Sequence, residues 1–137
     1  MKAKRKVPWK WLTPILASVL ILVLFKLVFL IGYVPTASME PTIEKGSYIV
    51  GIRIFSELEV GDIIIFERDG ELLVKRIAAV GGAVVERNGT SVAVPEDCFY
   101  VLGDNAGNSY DSRYWEDPFV PMGNVIGNLL CILSTFR

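Results

Sequence analysis

The 137 residues predict a mainly β domain, a small antiparallel barrel or sandwich, behind one N-terminal transmembrane helix. Three observations carry this expectation. Leu12–Ile31 is an apolar run of bilayer length. The remainder falls into short β-branched runs punctuated by Asp-Gly and Asn-Gly. Charge is divided between the two parts: residues 1–33 hold six basic side chains and no acidic one, whereas residues 34–137 hold eight basic and fifteen acidic. The net charge of −1 therefore describes neither part.

The apolar run comes first. At a 1.5 Å rise, twenty residues span about 30 Å, the thickness of a hydrocarbon core. Lys26 is its only charge, and its stem is long enough to reach the interface. Trp9, Trp11 and Tyr33 suit the headgroup belts. A cleaved leader has an apolar core of about 7–15 residues, shorter than this run. The basic residues before Leu12 place the N-terminus in the cytoplasm. The expected organisation is a cytoplasmic basic tail (1–11), a single-pass membrane anchor (12–33) and an extracytoplasmic β-rich domain (34–137).

Strand signals follow in order. Ser47–Ile54 and Asp62–Arg68 are rich in β-branched residues, and Asp69-Gly70 supplies a two-residue hairpin turn into Glu71–Val80. Ala83–Arg87 and Thr90–Val94 flank a second such turn, Asn88-Gly89, which explains the sequon-like Asn88-Gly89-Thr90 as a hairpin. Cys98–Leu102 leads into a polar loop, Gly103–Arg113, and Val125–Leu133 closes the domain.

Composition excludes several chemistries. The chain has no histidine, so Ser-His-Asp, Cys-His and His-ligated metal sites are ruled out. Cys98 and Cys131 are too few for a disulfide framework or a zinc site. An acidic outer part repels phosphate, so no nucleic-acid partner is expected.

Three segments carry groups able to do chemistry. In Pro35–Thr42, two prolines restrain the backbone around Ser38. In Val74–Gly82, alternation puts Lys75 on the face of Leu73, Ile77 and Ala79, and Arg76 on that of Leu72, Val74 and Ala78. A lysine buried among aliphatic side chains loses hydration and becomes a base near neutral pH. Periodicity leaves open which of the two cations is buried. The loop Gly103–Arg113 is rich in carboxylates, amides and hydroxyls, but its oxygen spacing lacks the twelve-residue calcium loop.

Together these segments resemble the type I signal peptidase family in its bacterial Ser-Lys form, as a small single-anchor member. The resemblance rests on four collinear boxes: Ser38-Met39-Glu40-Pro41-Thr42; Gly61-Asp62-Ile63-Ile64-Ile65-Phe66; Lys75-Arg76-Ile77 with Gly81-Gly82; and Gly103-Asp104-Asn105 running to Asn108-Ser109-Tyr110-Asp111-Ser112-Arg113. It implies Ser38 as nucleophile and Lys75 as general base. The Thr36 hydroxyl and Ser38 N–H would form the oxyanion hole, and Ser109 would orient the lysine amine. Gly103, Asp104 and Asn105 would be structural near the site, as would the ion pair of Asp111 and Arg113. No metal or cofactor is implied. Ala83, Ala106 and Glu116 depart from the family pattern, where Asp, Arg and Gly are usual.

The implied activity is a membrane-bound serine endopeptidase removing N-terminal signal peptides from exported preproteins after Ala-x-Ala-type sites. Membrane lipid and the translocation machinery would be further partners. The alternatives are a dedicated processing peptidase for one exported substrate such as a pilin, or a non-catalytic membrane-anchored β domain that binds a partner.

Overall fold

The computed structural model describes residues 9–134, so Lys2, Lys4, Arg5 and Lys6 of the expected tail lie outside the described residues. Helix α1 spans Trp9–Val28, and none of its residues is buried against protein. A helix this long and apolar, unburied among the described residues, is consistent with a membrane span. Pro14 sits inside it, where the Ser18 hydroxyl donates to the Pro14 carbonyl over 2.8 Å.

The apolar run is not helical throughout. Its last residues enter strand β1, Phe29–Tyr33, which pairs with β2, Tyr48–Ile52, from Phe29↔Ile52 to Tyr33↔Tyr48. Backbone pairing with β2 outweighs continued helix, and Gly32 weakens the helical alternative further. The Arg53 amide donates to the Val28 carbonyl over 2.7 Å, closing the end of α1 onto the sheet.

The other strands are β3 (Ile63–Arg68), β4 (Glu71–Val80), β5 (Val84–Arg87), β6 (Thr90–Ala93), β7 (Cys98–Leu102), β8 (Phe119–Pro121) and β9 (Val125–Leu133). Seven form one sheet in the order β1-β2-β9-β3-β4-β7-β8, antiparallel at every pairing, while β5 and β6 pair only with each other. The expected mainly antiparallel β class behind one apolar helix is what is observed. Both predicted turns carry left-handed backbone, at Asp69-Gly70 (φ 53° and 81°) and Asn88-Gly89 (52° and 76°), matching two-residue hairpins. Two strands went unforeseen: β1, read as helix, and β8, too short to give a periodic signal.

Central strand β3 is buried on both faces. Ile64 and Phe66 join Ile77, Val101 and Trp115 in one core; Ile63 and Ile65 join Met39, Ile43 and Ile49 in a second. A smaller cluster of Ala79, Val94 and Tyr100 seats the β5–β6 hairpin through Ala83 and Val85. Cys98 and Cys131 are both free thiols.

Candidate active site

The Ser38 loop is held by its apolar neighbours. Met39 and Ile43 are fully buried in the second core, and the Ile43 amide donates to the Met39 carbonyl over 2.9 Å. At the neck, Val34 N–H reaches the Ser47 carbonyl over 3.0 Å and Gly46 N–H reaches that of Val34 over 2.8 Å. These ties leave Ser38 buried, with its Oγ 3.3 Å from Thr36 Oγ1. Among the described residues, no acceptor is hydrogen-bonded to the Ser38 amide.

Lys75 meets this loop from β4. It is 4% exposed, on the strand face of Leu73 and Ile77 and opposite Ile64 in register. Its Nζ donates to Ser38 Oγ over 2.7 Å. Burial lowers the Lys75 pKa below the ordinary 10.5; the charge of Asp111 offsets part of this, and Arg113 adds to it. Arg76 is the surface partner of the pair that periodicity left open. Its Nε and Nη2 grip Asp104 Oδ1 and Oδ2 over 2.8 and 2.6 Å, and its Nη1 donates to the Gly61 carbonyl over 2.7 Å. This two-pronged ion pair was missed in the sequence, where Arg76 and Asp104 lie 28 residues apart.

The polar loop closes over the pair. Asn105 donates its amide N–H to the Ser38 carbonyl and its Nδ2 to that of Ala37, both over 3.0 Å. Gly103 passes so close that a β-carbon there would lie 2.5 Å from the Ser38 carbonyl oxygen and would collide with the Ser109 hydroxyl. Asp111 is fully buried beneath. It accepts from Gly103 N–H (2.9 Å), Ser109 Oγ (2.7 Å) and Arg113 Nε and Nη2 (2.8 Å each). Burial alone would raise its pKa; the bonds from Arg113, Gly103 and Ser109 outweigh that and hold it at about 2. The Ser109 hydroxyl is thus committed to Asp111, and among the described residues it makes no hydrogen bond to Lys75. All nine expected site residues fall in one connected neighbourhood, drawn from three stretches far apart in sequence.

The chain as a whole is similar to known proteins. The family described as signal peptidase, peptidase S26, matches residues 9–94 and 88–134. The chain belongs to that family. It is similar to Probable signal peptidase I-1 of Synechocystis sp., at 30% identity over 164 residues covering 90% of this chain and 83% of that protein. Signal peptidase I of Leptolyngbya laminosa is 31% identical over 131 residues, covering 69% of this chain and 64% of its own length. Inactive signal peptidase IA of Staphylococcus aureus is 26% identical over 155 residues, covering 88% of each. Membership of the signal peptidase family therefore does not by itself carry activity, and the geometry at Ser38 has to.

In this family member the site opens into a cleft of about 1020 Å³. One wall is Glu71, Leu73 and Lys75 of β4; the other is residues 106–109 with Tyr110 and Tyr114. Leu73 was legible two residues before Lys75, whereas the tyrosines gave no signal in a polar loop. Strand β4 pairs with β3 from Glu71 onward but with β7 only from Arg76 onward. Its edge from Glu71 to Lys75 is therefore open toward the cleft. Of the departing residues, Ala106 and Glu116 line this cleft, and the Ala106 carbonyl accepts from Arg113 Nη2 over 3.3 Å.

Proposed function

We propose that this chain is a membrane-bound serine endopeptidase that removes N-terminal signal peptides from exported preproteins through a Ser38–Lys75 dyad and an acyl-enzyme. The observation that carries the reading is the 2.7 Å contact between a buried lysine amine and the serine hydroxyl. Family membership supports the substrate class.

Neutral Lys75 accepts the Ser38 proton as Oγ attacks the scissile carbonyl carbon. The oxyanion that develops is met by the Ser38 N–H and the Thr36 hydroxyl, each such donor contributing about 10²–10³ in rate. Lys75 then gives the proton to the leaving amine, the C–N bond breaks, and an ester to Ser38 remains. Water, deprotonated by Lys75, releases the signal peptide. Ser109 acts on Lys75 through Asp111 rather than directly. The extended substrate adds as a strand to the open edge of β4, so main-chain bonds supply affinity and small residues fit beside Ser38.

The anchor reading assigns α1 to the bilayer, with residues 1–11 cytoplasmic and residues 34–137 extracytoplasmic, because the basic residues precede the helix. Membrane lipid and the translocation machinery are then its surroundings. From Gly32 to Ser38 the chain reaches at most about 20 Å, which holds the nucleophile near the boundary where a spanning signal peptide ends.

A preprotein cleavage assay tests the reading. Ser38→Ala and Lys75→Ala should each abolish cleavage in a folded protein, with activity in the wild type falling as pH drops through the depressed Lys75 pKa. Cleavage retained by Lys75→Ala would overturn the dyad. Binding without product in the wild type would favour the non-catalytic reading that the inactive Staphylococcus relative raises. Confinement of cleavage to one substrate would mark a dedicated processing peptidase.

A further inference from the structure

The β5–β6 hairpin stands apart from the main sheet, and both of its strands are largely solvent-facing. One side chain reaches out of it toward the site. Arg87, the last residue of β5, donates its Nε to the Ser112 carbonyl over 3.1 Å and its Nη2 to the Trp115 carbonyl. We infer that Arg87 is a positioning residue for the Ser38–Lys75 site, acting through the turn Asp111–Trp115; the inference rests on the peptidase reading above.

The turn it grips is the one that presents Asp111. Inside the turn, Tyr114 and Trp115 N–H donate to the Asp111 carbonyl over 2.8 and 3.2 Å. Asp111 in turn holds Ser109, Gly103 and Arg113. Arg87 holds the outer side of the same turn, and a planar guanidinium is suited to two carbonyls at fixed separation, as a lysine point charge is not. The hairpin gives Arg87 a firm base. Gly82 N–H donates to the Val94 carbonyl over 3.0 Å and Val94 N–H to that of Ala83 over 2.8 Å, while Val85 packs on the cluster around Tyr100.

The far end of the turn and the segment beyond it are secured separately. Arg68 Nη2 donates to the Asp117 carbonyl over 2.8 Å, and its guanidinium lies 4.2 Å from the Trp115 ring centroid. Loss of Arg87 should therefore loosen the turn without unfolding the loop. The charged groups facing Lys75 are Asp111 and Arg113, and both belong to the loosened turn. Water admitted there would raise the Lys75 pKa toward its ordinary value, because burial depresses it more than the Asp111 charge sustains it.

The test compares full-length wild type, Arg87→Ala and Arg87→Lys for preprotein cleavage across pH, with Lys75 titrated by NMR of carbon-labelled lysine. Arg87→Ala should lower kcat by about ten- to a hundredfold, the scale of a small misplacement. KM should change little, and both the acid limb and the Lys75 titration should move to higher pH. Arg87→Lys should recover part of each. A folded Arg87→Ala with wild-type kcat, acid limb and Lys75 titration would overturn the inference. Should Arg87→Ala not fold, Arg87→Lys decides on the same readouts. A wild type that cleaves nothing would end the peptidase reading, and the Lys75 titration would still decide: a rise in the variant supports the positioning role, and no change refutes it.

Discussion

Asp111 and Lys75 show how one small volume handles opposite charges. Lys75 is buried with a single hydrogen-bonding partner among the described residues, Ser38, which leaves the ammonium poorly solvated and favours the neutral amine. Asp111 is buried with a full set of donors, which favours the anion. A carboxyl held at about 2 rather than the ordinary 3.8 contributes about 2 kcal/mol at neutral pH. The sign follows from the depressed value. The unfolded chain takes up the proton first as pH falls, so this stability is complete above about pH 5 and is lost as pH drops toward about 2. Asp111→Asn should be less stable than wild type at neutral pH. Its unfolding midpoint in denaturant should also fall less steeply between about pH 5 and pH 2. Equal slopes for the two proteins would show that Asp111 is not the group titrating.

At the scale of elements, the site is a meeting of a loop, a strand and a second loop, and Gly103 is where the two loops pack without room for a side chain. Gly103→Ala would drive a methyl group against the Ser109 hydroxyl and the Ser38 carbonyl. Overpacking of this kind costs about 1–3 kcal/mol, and displacement of Ser38 should lower kcat by about tenfold or more. Thermal unfolding beside cleavage kinetics checks both, and an alanine variant of wild-type rate would show that the loop yields freely. Strands β3 and β4 were legible as runs either side of Asp69-Gly70, β5 and β6 as runs either side of Asn88-Gly89, and β7 and β9 as short apolar runs. So was the face of β4 that carries Lys75, but not the choice between Lys75 and Arg76. That choice depended on Asp104 waiting on the other side, a partner that strand periodicity does not contain. Strand β1 was hidden for a related reason: Phe29–Tyr33 is as apolar as the helix before it, and only pairing with Tyr48–Ile52 distinguishes the two. The hydrogen bonds of Arg87 left no trace in the sequence because their acceptors are backbone carbonyls, which every residue has.

For the whole molecule, the absence of a linker between α1 and β1 is the controlling feature. The last helical carbonyl, at Val28, is bonded to Arg53 at the end of β2, so the helix and the sheet meet without slack. If α1 spans the bilayer, the cleft is held at one height above it, and tethering raises the effective concentration of a membrane-bound substrate. Insertion of a flexible linker of about six residues between Val28 and Phe29, about 14 Å of mean reach, should slow cleavage of a preprotein embedded in vesicles several-fold. Cleavage of a short soluble peptide should stay near the wild-type rate. Equal losses on both substrates would mean that the join matters for folding instead.

The half-open edge of β4 has a consequence for how much a substrate must specify. Main-chain donors and acceptors are the same in every polypeptide, so a recogniser that reads them is indifferent to most of the sequence laid against it. If a substrate adds to this edge as proposed, discrimination falls to the few positions beside Ser38, Lys75 and Leu73, which line the cleft. Under that proposal a leader need specify little beyond small side chains at those positions, and cleavage of several unrelated preproteins, rather than of one, is the outcome that would match it.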